Sequence, residues 1–415
     1  MNLSVDTGTY IQISAVMFLQ YAVWGAWAPV LAARLLGPLK MTGKQTGWIY
    51  ATLPIACIIS PLFSGLVADK YVNTEVVLAV CHALGAILMF MAIRQQTFKG
   101  LFVVMFLYSL CYGATLPLAN AVLFAHVEDL NTQGLVFIWA PVAWALTGYF
   151  LTAWRTVRGG EGDGSDCLKL AAVLSVLMAV ACYLAPATPP KGTAEFPIVK
   201  AFSMLAQSDF LIFILASTVI AGLQQFYFLG SARFMTDMGI PGKNVPAAMG
   251  IAQAAQAIAT FFLLGAMLEW LGFKWALTFG ASFWTIMYLV YISGQPRWLI
   301  VISQAFHGLA YVFFMIVGQI FAGRVGPHIP ASMQALIFAA TTGVGMFFGT
   351  QLAGSVMDRY SVEGQFQWRK IWAVPMVIMA VGALVLATAF RAEVPPAEAE
   401  QAAAVQIEQL AESAG

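Results

Sequence analysis

Residues 63–70 read FSGLVADK, an apolar run that narrows to small residues and then sets Asp69 beside Lys70. The chain around it is 60% hydrophobic and only 9% charged, with a mean hydropathy of +0.81. A soluble domain carries about 25% charged residues, so this acid–base pair marks a place where the chain leaves a membrane. Outward from it, apolar blocks of about 20 residues, long enough to cross about 30 Å of hydrocarbon, recur between short charged or Gly/Pro-bearing breaks. Twelve spans are expected, over 11–33, 45–67, 75–93, 100–124, 134–154, 168–187, 208–230, 246–268, 275–293, 298–322, 332–356 and 371–390. The blocks lack the period-2 alternation of a barrel and are too long for barrel strands. The predicted fold class is therefore an all-α polytopic membrane protein, with twelve transmembrane helices in two six-helix halves.

The longest mixed interruption, APATPPKGTAEFPIVK at 185–200, falls near the middle. It divides the chain into an N-terminal bundle at 1–187, a linker at 188–207 and a C-terminal bundle at 208–391, with a polar Ala/Glu-rich tail at 392–415. The first block has no basic leader and no small-residue cleavage site, so it is read as a retained span. A net charge of +1 gives no reason to expect nucleic acid as a partner. Four of the five cysteines fall within spans, which points to neither a disulfide framework nor a metal site, and no cofactor is expected. A membrane enzyme would need paired acids at a membrane face, and only Glu128-Asp129 offers them.

Gly65 stands four residues before Asp69, after the second span; Gly265 stands four before Glu269, after the second span of the other half. Such a repeat is what an internal duplication leaves. Small residues let helices approach closely, and an acid at the mouth of a span can accept hydrogen bonds from a neighbouring helix N-terminus. Gly65, Asp69, Lys70, Gly265 and Glu269 are accordingly read as gating residues. Gly354, Asp358 and Arg359 repeat the pattern on the opposite face, where it is read as incidental.

Six plus six helices with G-x-x-x-D-K after the second span resembles the major facilitator superfamily. LQYAVWGAW, SGLVADK, AVCHALGAILMFMA and TLPLAN narrow the resemblance to its nucleoside:proton symporters, the family of bacterial nucleoside permeases. AGLQQ, AQAAQ, HGLAYVFF and PASMQALIF carry it through the second half. The resemblance implies two halves rocking about a central site, a nucleoside as substrate, protons as a coupling partner, and a multi-pass monomer in a bacterial inner membrane with cytoplasmic termini. A sugar transporter and a non-transporting sensor on the same fold are the alternatives. Where the resemblance places the family's membrane-embedded charges, this chain has Phe137, Gln256 and Val312. The implied orientation puts six basic residues inside, Lys70 and Arg324 among them, and the other fourteen of the 20 outside, against the positive-inside rule.

No Asp, Glu, Lys or Arg falls at bilayer depth in the expected spans, which leaves His82 and His307. A neutral, hydrogen-bonding solute follows, because the site has no fixed charge to offer. Amides are plentiful instead: Gln20, Asn120, Gln224, Gln225, Gln253 and Gln256 all lie within apolar spans. Gln20, Trp24 and Trp27 share one helical stripe, Gln224 and Tyr227 another, Gln253 and Gln256 a third. A nucleobase offers an aromatic face to stack and edges that an amide reads bidentately. With Trp139, Tyr311 and Phe314, these residues are the expected substrate site; Trp144 is left between pocket and kink. His82 is read as structural. His307, on the Tyr311–Phe314 stripe, is the proton-coupling candidate, and without it the protein is a facilitator.

Overall fold

The structure, a computed structural model, describes residues 5–127, 130–190, 202–326 and 330–392, without the side chains at 62, 69, 130–131 and 330–332. Within them are twelve helices long and apolar enough to span a membrane. They are α1 (Thr7–Leu36), α2 (Gly43–Ala68), α3 (Thr74–Arg94), α4 (Phe98–His126), α5 (Thr132–Val157), α6 (Asp166–Tyr183), α7 (Ser208–Asp237), α8 (Gly242–Phe262), α9 (Leu264–Ser293), α10 (Arg297–Val325), α11 (Met333–Arg359) and α12 (Trp368–Thr388). A two-residue hairpin, β1 (Ser361–Val362) with β2 (Gln365–Phe366), joins the last two. The expected linker and tail fall mostly outside the described residues.

Hydrocarbon offers backbone groups no hydrogen-bond partner, so a break within a span must be satisfied by the protein. Asp6 caps α1 through the Thr9 amide, and Thr42 forms a reciprocal capping box with Gln45 at the start of α2. Helix α1 breaks at Ala28–Val30, where Pro29 brings no N–H; the Tyr50 hydroxyl bridges the break, donating to the Ala28 carbonyl at 2.7 Å and accepting from the Ala32 amide at 3.0 Å. Helix α7 breaks at Gln224, and the Tyr288 hydroxyl donates to the Leu223 carbonyl at 2.9 Å. Each half thus repairs the break in its first helix with a tyrosine from its second or third.

Helices α1–α6 pack among themselves, as do α7–α12. The first group is centred on Trp27, Tyr108 and Tyr112, the second on Trp284, Tyr288, Tyr291 and Trp372, all fully buried. Extensive contact between the groups is made by two pairs, α2 with α11 and α5 with α8. One boundary departs from expectation. The eighth span stops at Phe262 rather than 268, and Gly272, at φ +64°, takes a left-handed conformation open to glycine. Gly265 and Glu269 therefore sit in a short helical piece at the start of α9, beyond the span they were expected to end.

Candidate functional site

The two helix pairs that join the groups make a seam, and its ends differ. At the face away from the chain ends, the far face, backbones touch directly. A Cβ on Gly47 would stand 2.6 Å from the Thr350 carbonyl oxygen, and one on Gly148 would stand 2.6 Å from that of Pro246. Polar bonds cross the seam there as well. Asp358 at the end of α11 accepts from the Gly43 amide and, at 2.9 Å, from the Lys44 amide. Arg155 grips Asp166 with two bonds of 2.6 and 2.8 Å and donates a third, 3.1 Å, to the Gly242 carbonyl of the other group. The Ala247 amide donates to the Thr152 hydroxyl at 2.9 Å.

The terminal face, where α1 begins and α12 ends, lacks such contact at the residues expected to provide it. A Cβ on Gly65 or Gly265 would meet nothing within 4 Å. Lys70 and Glu269 are exposed, and the Asp69 side chain is outside the described residues. The close helix approach expected at Gly65 is therefore absent in this conformation: the seam is shut at the far face.

Midway along the seam lies a crevice of about 10 Å³, room for a single water, lined by Gly25, Ala26, Pro29, Trp144 and Thr147 from one group and Tyr227, Phe228, Met249 and Gln253 from the other. Trp24 meets Trp144 edge-on at 5.5 Å between centroids, and Trp144 meets Phe228 at 6.1 Å. These three rings form a ladder from one half to the other. Gln253 stands beside it, and Gln256 follows one turn towards the terminal face; both are buried.

The structure divides the expected site residues. Both ends of the Gln20 amide are engaged within the first half: Nε2 donates to Thr115 Oγ1 at 2.8 Å, and Oε1 lies 2.9 Å from His82 Nε2. Since that oxygen is an acceptor only, His82 donates to it, as befits a structural histidine. Trp27, 1% exposed, donates to the Tyr108 hydroxyl at 3.3 Å. Gln20 and Trp27 thus lie behind the wall that Trp24 faces, a correction to their reading as solute contacts. Phe314, also 1% exposed, packs on Trp284 and belongs to the second core. Of the expected charge positions, Val312 is buried against Ala259 and Phe313, and Phe137 packs on Phe124.

His307 is 1% exposed, walled by Tyr227, Phe228 and Trp284. Its Nδ1 lies 3.0 Å from the Trp284 indole nitrogen, which can only donate. Nδ1 is therefore the acceptor, and the neutral ring carries its proton on Nε2. Adding a second proton would set two donors against each other, so the site opposes a proton-carrying role for His307.

Other expected residues are left with unmet hydrogen-bonding capacity. Asn120 Oδ1, Trp139 Nε1 and Gln225 Nε2 are buried without a partner. Each such atom costs about 1–3 kcal/mol, so each calls for water or a solute group. Gln224 sits at the break in α7, and Tyr311, partly buried, opens a π-helical turn of α10 that runs to Ile316. Phe228, Thr147 and Met249 were missed by sequence reasoning. Phe228 stands four residues after Gln224, within the spacing of the same stripe, but a phenylalanine in an apolar span carries nothing that separates a pocket wall from core packing.

Two six-helix groups, meeting along a seam that is sealed at one face around a small polar–aromatic centre, define a carrier of the major facilitator architecture. The profile described as nucleoside H⁺ symporter matches residues 7–394, and the chain belongs to that family. It is 29% identical over 406 residues to the putative nucleoside transporter YegT of Escherichia coli, covering 92% of this chain and 94% of that protein. It is 27% identical over 401 residues to the nucleoside permease NupG of the same organism, covering 92% and 95%. The crystal structure of nucleoside transporter NupG superposes with a TM-score of 0.80 at 24% identity, over 91% of this chain and 98% of that one.

Proposed function

We propose that this transporter carries nucleosides across a bacterial inner membrane as a monomer with cytoplasmic termini, and that it equilibrates them without a coupled proton. The observation that carries the substrate reading is the central layer, where the rings of Trp24, Trp144 and Phe228 stand beside the amide of Gln253, with buried Gln256 one turn further along α8. Stacking on such rings is worth about 1–3 kcal/mol per base, and a site without fixed charge selects a neutral solute. The relatives named as nucleoside transporters and permeases point the same way. The partnerless atoms of Asn120, Trp139 and Gln225 supply further contacts for ribose or base. Gly65, Asp69, Lys70, Gly265 and Glu269 act in the opposite conformation, when the terminal face closes.

The facilitator reading rests on two features. Gln256 stands where the family resemblance places a charge, and the hydrogen bond from Trp284 occupies the Nδ1 lone pair on which His307 would have to take up a proton. The test is counterflow in proteoliposomes, with labelled uridine or adenosine against hexoses. Hexose exchange without nucleoside exchange would make the protein a sugar carrier, and accumulation driven by an inward proton gradient would make it a symporter.

A further inference from the structure

Helices α2 and α11 run antiparallel along the seam, and both end in the same pattern, Gly65-Leu-Val-Ala-Asp69-Lys70 and Gly354-Ser-Val-Met-Asp358-Arg359. Sequence reasoning set the second copy aside as incidental. The structure gives it a partner. The first turn of any helix leaves its N–H groups without intrahelical acceptors. In α2 the Gln45 amide is met by Thr42 of its own half, whereas the Gly43 and Lys44 amides are met by Asp358 of the other half. A negative charge at a helix N-terminus is favoured both by these bonds and by the helix dipole. Gly354 permits the approach, because a Cβ there would collide with the Gly43 carbonyl. The cap on α2 is therefore complete only while the two halves are together at the far face.

We propose that Asp358 is the lock of the far face, a positioning residue whose bonds to α2 hold this conformation and must break once in every transport cycle. A cap within a single half would stabilise every conformation equally; this one stabilises the far-shut state alone. The inference rests on alternating access but not on the identity of the solute, and its test needs no substrate.

The test is side-specific alkylation in proteoliposomes with a membrane-impermeant maleimide, subtracting the labelling of the native cysteines. A reporter at Thr147→Cys lies in the central crevice, behind the far-face crossings, and one at Gly65→Cys lies on the terminal side of the same seam. Asp358→Asn should speed far-face labelling of the first about tenfold, as expected for loss of one charged cap contact, and slow labelling of the second. Gly354→Ala, which wedges the same contact sterically, should act in the same direction if the Asp358 variant does not fold. Unchanged labelling at both reporters overturns the proposal. So does faster labelling at both, which would mean general loosening rather than a lock.

Discussion

The His307 ring lies nearly flat on the ring of Tyr227, with centroids 3.9 Å apart and planes 18° from parallel. This places the one histidine that sequence reasoning favoured for proton transfer inside an aromatic box, with Trp284 fixing its tautomer. An imidazole held in this way works as a polar packing element, joining α7, α9 and α10.

It follows that His307→Gln should leave the response of uptake to an imposed proton gradient as it is in the parent, whatever that response is. Thermal stability should fall, because the indole proton of Trp284 loses its acceptor, at a cost of about 1–3 kcal/mol. Uptake with and without the gradient, alongside a melting curve in detergent, checks both. A proton response abolished in a folded variant would restore His307 as the coupling group.

The central layer and its supporting wall should separate in binding assays. Gln253→Ala, at the crevice, should weaken nucleoside binding by about 1–3 kcal/mol with little change in melting temperature. Gln20→Ala, which removes the partner of His82 and Thr115, should do the reverse and destabilise the fold more than it weakens binding. Calorimetric titration of both variants, each paired with its melting curve, decides the matter; equal losses of affinity would put Gln20 back among the solute contacts.

A third expectation concerns the backbone contact of α5 and α8. Gly148→Val inserts a branched side chain where even a Cβ would stand 2.6 Å from the Pro246 carbonyl. The far face should then fail to close, and counterflow should fall at least tenfold while equilibrium binding survives. Normal counterflow by this variant would mean that the contact is dispensable.

A fourth follows from the far-face loop between α5 and α6. Partial burial alone would raise the Asp163 carboxyl, but bonds from the Ser165 hydroxyl and the Arg34 guanidinium outweigh it and hold the group well below its ordinary 3.8. A depressed carboxyl stabilises the fold above its unfolded value of about 4 and loses that contribution as the pH falls through its folded value. Asp163→Asn should lower the melting temperature at pH 7, and the gap to the parent should narrow as the pH is taken below about 4. The effect is modest, because the Asp163 side chain is 62% exposed and solvent screens the pair. A gap that stays constant with pH would remove the ion pair from the account.

Much of the architecture was readable before any coordinates, because hydrocarbon imposes a length on every span and Gly/Pro breaks separate them. The site was readable only in part. Helical spacing correctly placed Gln20, Trp24 and Trp27 near one another, yet it does not say which side of a helix faces the seam and which faces its own bundle. Gln20 and Trp27 turn inward to Thr115, His82 and Tyr108, and Trp24 turns to Trp144. Asp358 failed for a different reason. Its partner is a pair of backbone amides 314 and 315 positions away, which leave no side-chain signature in the sequence.

The Gly47–Thr350 and Gly148–Pro246 crossings also bear on how the cell keeps its charge. Protons cross membranes along files of hydrogen-bonded water, and a join built from main chain against main chain has no width for such a file. A carrier sealed by side chains would leave its insulation hostage to every rotamer that moved to admit a solute. Here the barrier depends on glycine positions remaining glycine, so the solute-facing residues can diversify without short-circuiting the membrane that holds them.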